Sequence, residues 1–373
     1  MKFEPFHLER YFARYEFTAR YLLCCSDCDG LSLNSILNMA DAETRQLWDD
    51  LHLGYTESLG HPLLREEIAA LYREIQPEQC LVTAPEEGIL LTMNAILDEG
   101  DHVICTFPGY QSLYQIAQNA KCEVTLWTPE EENGWRFNPD FLESHIRPNT
   151  KLLVINFPHN PTGFLPSHED FLKIISFAES HHLYLFSDEM YRFLEFDDSN
   201  RLPAACEIYK NAVSLMGMSK TFGLAGARIG WIVTRNRDLF SKIAEQKDYT
   251  TICSNAPGEI LSIIVLRNKD KVISEHLERI HRNLSVLDSF LLKHSEMLDW
   301  IKPKAGTIGF PKLKTNQDST GFCQEIIEKA GILLLPSYVY DFDTKHFRIG
   351  FGRENFPEAL EQLDGYLKRR KEI

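Results

Sequence analysis

The stretch Ser214-Leu-Met-Gly-Met-Ser-Lys220-Thr-Phe-Gly-Leu-Ala-Gly-Ala-Arg228-Ile-Gly230-Trp231 decides how the rest of the chain is read. Apolar runs flank it, Val213 to Met216 before and Ile229 to Val233 after, which predicts strands on either side and sets Lys220 at a strand end under apolar walls. Burial of that kind lowers a lysine pKa and favours the nucleophilic free amine. Eight residues on, Arg228 offers a fixed cation, and Gly223, Gly226 and Gly230 let backbone approach closely. The pair suits a ligand with an aldehyde at one end and a phosphate at the other. A surface lysine after a strand would carry the same local pattern, so the remaining motifs must decide between the two.

The chain has 373 residues, 44% of them hydrophobic, enough for one large α/β unit and a smaller one. A net charge of −15 argues against a nucleic-acid partner. The one basic run, Lys368-Arg-Arg-Lys371, reads as a last helical turn. No stretch approaches the roughly 20 apolar residues of a spanning helix, and the N-terminus lacks a signal-peptide core, so a cytoplasmic protein is expected. Nine cysteines, an odd number in mostly apolar contexts, read as reduced core residues. Cys24, Cys25 and Cys28 have redox or metal spacing, but no second pair follows at zinc-site distance, so no metal is expected.

Outward from the lysine, the chain alternates strands and helices, the mark of a mostly parallel sheet with crossover helices. A short helix and an extended arm are expected between Phe6 and Leu23, with apolar Leu8, Tyr11, Phe12 and Tyr15 among Glu9, Arg10, Arg14 and Glu16. Tyr55 lies in the glycine-bounded loop Gly54 to Pro62. After Leu81-Val82, the run Thr83-Ala84-Pro85-Glu86-Glu87 starts a helix extending to about Leu97. Backbone N–H groups at such a start cradle phosphate, although Pro85 has none and Glu86 or Glu87 must point away from an anion.

Strand His102 to Thr106 leads to Tyr110, and strand Lys151 to Ile155 leads to Asn156-Phe-Pro-His-Asn160-Pro-Thr-Gly163. Two prolines bracket Asn160 and present its amide at the carboxyl edge of the sheet, where open α/β sheets bind ligands. A buried strand His182 to Phe186 ends at Asp188, with Tyr191 three residues on. A helix from about Ala256 to Leu292 is long enough to connect two domains. Strands then follow at Thr307 to Leu313 and Ile332 to Leu335. The alternating Phe347-Arg348-Ile-Gly350-Phe-Gly352-Arg353 places Arg348 and the two glycines on one face. No Walker-type phosphate loop, dinucleotide fingerprint, metalloprotease helix or nucleophile elbow occurs.

In order, Tyr55, Tyr110, Asn160, Asp188, Tyr191, Ser219, Lys220, Arg228 and Arg348 resemble the site residues of the class I/II aminotransferases, the fold-type I enzymes that depend on pyridoxal 5′-phosphate (PLP). The lysine segment matches that family's Ser-x-Ser-Lys and Gly-x-Arg-x-Gly, except that Gly217 stands where the first serine is expected. The resemblance implies a large domain with a mixed, mostly parallel seven-stranded sheet plus a smaller α/β domain. The expected bounds are 1–40 for an N-terminal arm and part of the small domain, 41–283 for the large domain, and 284–373 for the rest of the small one.

It further implies that Lys220 holds PLP as a Schiff base and then moves the substrate Cα proton. Asp188 would keep the pyridine nitrogen protonated, Tyr110 would stack on the ring, and Asn160 and Tyr191 would bind the phenolic oxygen. The loop Ala84, Pro85 and Glu86, with Ser219, Arg228 and a neighbouring subunit's Tyr55, would hold the phosphate. Arg348, with Asn160, would bind the α-carboxylate. A homodimer with shared sites follows, passing an amino group from an L-amino acid to a 2-oxo acid. Elimination, oxidative cyclisation or decarboxylation on the same constellation, and a non-catalytic PLP-binding sensor, are the other readings.

Overall fold

The computed structural model describes residues 3–371; the outermost two residues at each end, part of the expected domain bounds, lie outside the described residues. A seven-stranded sheet forms its centre, in the order Cys80–Thr83, Gly230–Val233, Ala212–Gly217, Tyr184–Asp188, Thr150–Asn156, His102–Thr106, Glu123–Trp127. Only Gly230–Val233 runs antiparallel to its neighbours. Helices cover both faces, so the inner strands are apolar along their whole length rather than alternating: Leu152, Leu153, Val154 and Ile155 are all fully buried. This is the mixed, mostly parallel sheet that the alternation predicts.

The small unit is built from both ends of the chain. Ile308–Gly309, Phe347–Gly350 and Leu335–Pro336 make a three-stranded antiparallel sheet, while Tyr21–Leu22 pairs in parallel with Ile332–Leu333. The expected strand Thr307 to Leu313 is two short pieces, interrupted at Phe310-Pro311, where proline has no N–H to give a ladder. The expected connecting helix is likewise two, Ala256–Arg267 and Lys269–Lys293, separated at Asn268. There the Asn268 side chain donates to the Ile264 and Met39 carbonyls and turns the chain. The second of these helices runs through the expected boundary at position 283.

Between Leu23 and Leu31 the chain has no regular structure, yet it is fixed along its length. Gly350 donates its N–H to the Leu23 carbonyl at 2.8 Å, and Leu31 donates to the Gly223 carbonyl at 2.9 Å. Glycine is required on the strand below, since a Cβ at Gly350 would lie 1.8 Å from the Cys25 carbonyl oxygen and one at Gly352 would lie 2.4 Å from that of Asp27. Gly350 at the strand's end and Gly352 two residues beyond it thus seat an arm that crosses from the small sheet to the lysine loop.

Candidate active site

Three loops meet at the carboxyl edge of the central sheet. Asn156 and Asp188 end neighbouring strands in register, and the next strand in the sheet, Ala212–Gly217, leads to Ser219 and Lys220. Asn156 ties two of these ends together: its Nδ2 donates to the Asp188 carbonyl at 3.1 Å, and its Oδ1 accepts from the Asn160 N–H at 2.8 Å. His159 joins a third, with Nε2 at 2.7 Å from the Pro108 carbonyl and Nδ1 at 2.7 Å from Thr162 Oγ1. Burial lowers its pKa to about 3, so it stays neutral and serves as a brace between the Tyr110 and Asn160 turns.

The loops enclose a cavity of about 390 Å³ lined by Pro85, Glu86, Tyr110, Asn160, Asp188, Tyr191, Ser219, Lys220, Arg228 and Arg348. A larger cleft of about 760 Å³ at Glu130–Glu132, Trp135 and Trp300 contains none of the residues expected in the site. Lys220 Nζ donates to Ser26 Oγ at 2.8 Å, and burial lowers its pKa, the state a nucleophilic amine needs. Asp188 is buried and accepts only the Met190 N–H, at 3.1 Å, on Oδ1. Desolvation pushes its carboxyl up to about 7, with Glu189 adding to the rise and Lys220 opposing it. Tyr191 donates to the Ser26 carbonyl at 3.1 Å, and Tyr110 to Glu9 Oε1 at 3.0 Å. Arg348 is fully buried; its Nε and Nη2 donate to the Cys24 carbonyl at 3.0 and 2.7 Å, and its Nη1 donates to Tyr340 Oη at 2.6 Å and Asn160 Oδ1 at 3.4 Å.

The loop after Thr83 differs from the expected arrangement in detail. Glu87 does turn away, accepting from Thr83, Thr251 and the Ala84 N–H, so Ala84 has no free donor and is not among the cavity residues. Glu86 instead faces the cavity, accepts from Ser112 Oγ at 3.0 Å, and is pushed up to about 7 by burial. The two departures at Pro85 and Gly217 explain each other. A Cβ at Gly217 would come within 3.0 Å of the Pro85 ring, and one at Gly230 within 2.8 Å of it, so a serine in place of Gly217 would press on that ring and on the neighbouring strand.

Tyr55, like Ala84, is an expected site residue that this chain does not bring to the cavity; it stands 90% exposed on its loop. Conversely, Glu9, Phe12, Glu16, Ser26 and Asp27 line the cavity without having been read as site residues from the sequence. The signal available was the polar Cys25-Ser-Asp-Cys28 run in an otherwise apolar region. Those cysteines are free and buried, and among the described residues no group of three or more His, Cys, Asp or Glu side chains is placed to hold a metal.

PLP fits this cavity. Ser219 Oγ is buried and has no hydrogen-bond partner, Asp188 is a buried carboxyl without a counter-ion, and Lys220 supplies an amine between them. A parallel-sheet edge with such a lysine defines a fold-type I PLP-dependent enzyme. The chain belongs to the class I and II aminotransferases, whose family model matches residues 21–363. It is 26% identical over 351 residues to an aspartate aminotransferase from Pyrococcus horikoshii, covering 90% of this chain and 88% of that one. It is 27% identical over 309 residues to capreomycidine synthase from Streptomyces vinaceus, covering 83% and 78%. A PLP-dependent aminotransferase from Streptococcus suis superposes with a TM-score of 0.92 at 28% identity, covering 99% of both chains.

The burial of Asp188 has a measurable consequence in the apoprotein. Its folded pKa of about 7 lies above the ordinary aspartate value of 3.8, so between these pH values the folded state binds a proton that the unfolded state has lost. Stability therefore falls as pH rises from about 4 to 7 and levels off above, the reverse of a salt-bridged aspartate. Thermal unfolding of apoprotein at several pH values should show this decline, to which Glu86, also raised to about 7, adds, and Asp188→Asn should make it shallower. An equal slope in both proteins would mean that Asp188 is ionised and stabilised within the fold.

Proposed function

We propose that the protein is a PLP-dependent aminotransferase that moves the amino group of an L-amino acid to a 2-oxo acid. The observation that carries this reading is the buried Lys220 amine, sharing one cavity with Asp188, Asn160 and an unpartnered Ser219 hydroxyl. Ser219 and Arg228 would hold the phosphate, and Glu86, kept largely protonated by burial up to neutral pH, would face it as a neutral acid rather than as a repelling anion. Asn160 and Tyr191 would take the phenolic oxygen, Tyr110 would lie against the ring, and Asp188 would pair with the ring nitrogen.

When bound, PLP supplies an aldehyde that captures the substrate amine and a ring that accepts the electron pair left at Cα. The protein's part is positioning and proton transfer. Ser26 Oγ holds the Lys220 amine at 2.8 Å while it is neutral, and that amine takes the Cα proton as base and returns it as acid. Asp188, buried away from water, gains a counter-ion when the ring nitrogen is protonated, which favours both charges. Arg348 binds the α-carboxylate by exchanging its contact with the Cys24 carbonyl for the substrate, so the arm and the substrate compete for one guanidinium.

The assembly in this reading is a homodimer in which Tyr55 reaches the partner's phosphate site. In support, Leu53, Tyr55 and Tyr249 are 83, 90 and 89% exposed, more than a monomer gains by showing to water. A reducing, cytoplasmic setting is supported by nine cysteines without a disulfide, eight of them buried. The test of the reading is a half-reaction. Holoprotein mixed with a panel of L-amino acids should convert its visible cofactor band to that of the aminated cofactor, releasing one 2-oxo acid per site. Release of ammonia or carbon dioxide instead would replace transamination with another PLP reaction, which the similarity to capreomycidine synthase keeps as the second reading.

A further inference from the structure

The polar groups of the cavity divide into two ends. Ser219 and Arg228 mark the phosphate end, and Lys220 and Asp188 mark the reacting centre, which leaves the wall formed by the first helix, His7–Tyr15, and the residue after it for the substrate's side chain. Leu8, Glu9, Phe12 and Glu16 from this segment face the cavity, Phe12 and Glu16 four residues apart as on one helical face. Both carboxyls lack a cation. Glu9 accepts only the Tyr110 hydroxyl, and Glu16 has no hydrogen bond or ion pair among the described residues.

The arginines that might neutralise them are engaged elsewhere. Arg353 Nη2 is held by Asp27 at 3.1 and 3.2 Å, and Arg348 by the Cys24 carbonyl and Tyr340. Desolvation raises the Glu16 carboxyl; Arg353 partly offsets that rise, and Asp27 and Glu9 add to it. A substrate with a second carboxylate would meet two acids that form no ion pair, on a wall whose nearest guanidinium, Arg353, is held by Asp27. A cationic side chain would relieve both at once; the Phe12 ring already carries the Arg348 guanidinium, 5.9 Å from its centroid, so the two carboxyls rather than the ring would receive it.

We propose that this cavity selects an amino acid whose side chain ends in a guanidinium or ammonium group, received by Glu9 and Glu16. The inference rests on the PLP-dependent reading above and names its substrate class. It separates this chain from relatives called aspartate aminotransferases, to which it is equally similar by overall identity.

Binding can be read apart from catalysis with carboxylates that lack the α-amino group, titrated into holoprotein whose cofactor has been fixed to Lys220 by borohydride reduction so that no primary amine can react with it. Calorimetric titration of holoprotein would compare δ-guanidinovalerate and ε-aminocaproate with the neutral δ-ureidovalerate and with the dianion glutarate. One or both cations should bind about 10- to 100-fold more tightly than the neutral compound, the range expected of a charge-assisted contact, and which one does so assigns guanidinium or ammonium. Glu16→Gln, which keeps size and hydrogen-bonding capacity, should remove most of that preference and leave δ-ureidovalerate unchanged. Equal binding of cationic and neutral compounds, tighter binding of glutarate, or an equal loss for all of them in Glu16→Gln would overturn the proposal. Its failure is distinct from failure of the aminotransferase reading. Amino transfer from neutral donors without charge preference removes only the substrate class, while selective binding of cations without amino transfer removes only the reaction.

Discussion

Replacing Lys220 by alanine is expected to reduce amino transfer by at least about 10²- to 10⁴-fold, the range for loss of a positioned acid–base group. No other residue on the cavity wall carries an amine. Arg228, Arg348 and Arg353 do not deprotonate in proteins, and burial raises the Tyr191 phenol pKa, making it a poorer acid. Ser26, which accepts the lysine's hydrogen bond at 2.8 Å, offers only a hydroxyl. Lys220→Arg should be as inactive as Lys220→Ala, because it restores the charge and not the base. Cofactor should still be retained through Ser219, Arg228, Asn160 and Asp188, and is read by its absorbance after gel filtration. Normal turnover by either variant would remove Lys220 from the chemistry.

Asp188→Asn carries the next largest effect. The amide is isosteric and keeps an oxygen for the Met190 N–H at 3.1 Å, and Asn156 bonds the Asp188 backbone rather than its carboxyl, so the turn should stand. What would be lost is the buried carboxylate that, in the proposed reading, pairs with the ring nitrogen. Turnover should fall roughly 10²-fold or more, as for other preorganised electrostatic contacts, with a smaller loss in cofactor affinity. An unchanged rate with cofactor bound would make Asp188 a structural residue.

The parts of this site that the sequence made legible are those where a local rule suffices. Apolar runs ended by Asn156, Asp188 and Gly217 announce strands whose last residues fall on one edge, and proline at position 85 starts the helix Pro85–Ile96 where expected. The arm from Leu23 to Leu31 has no period to read, because its path is fixed by contacts to Gly350, Gly352 and Gly223 far along the chain. Glu9 and Glu16 look like the solvated face of an amphipathic helix. They are cavity residues only because that segment lies across the cavity mouth, a tertiary fact with no sequence signature. Gly217 and Pro85 each look like an isolated departure from the family pattern, and their steric dependence appears only when two strands bring them together.

The most direct test of the account is to follow the nitrogen itself. Holoenzyme given an L-amino acid isotopically labelled at its amino group, together with an unlabelled 2-oxo acid, should yield the new amino acid carrying the label and the donor's 2-oxo acid in equal amount. Label recovered as free ammonia, or kept within a rearranged or cyclised donor, would contradict amino transfer as the function of this site.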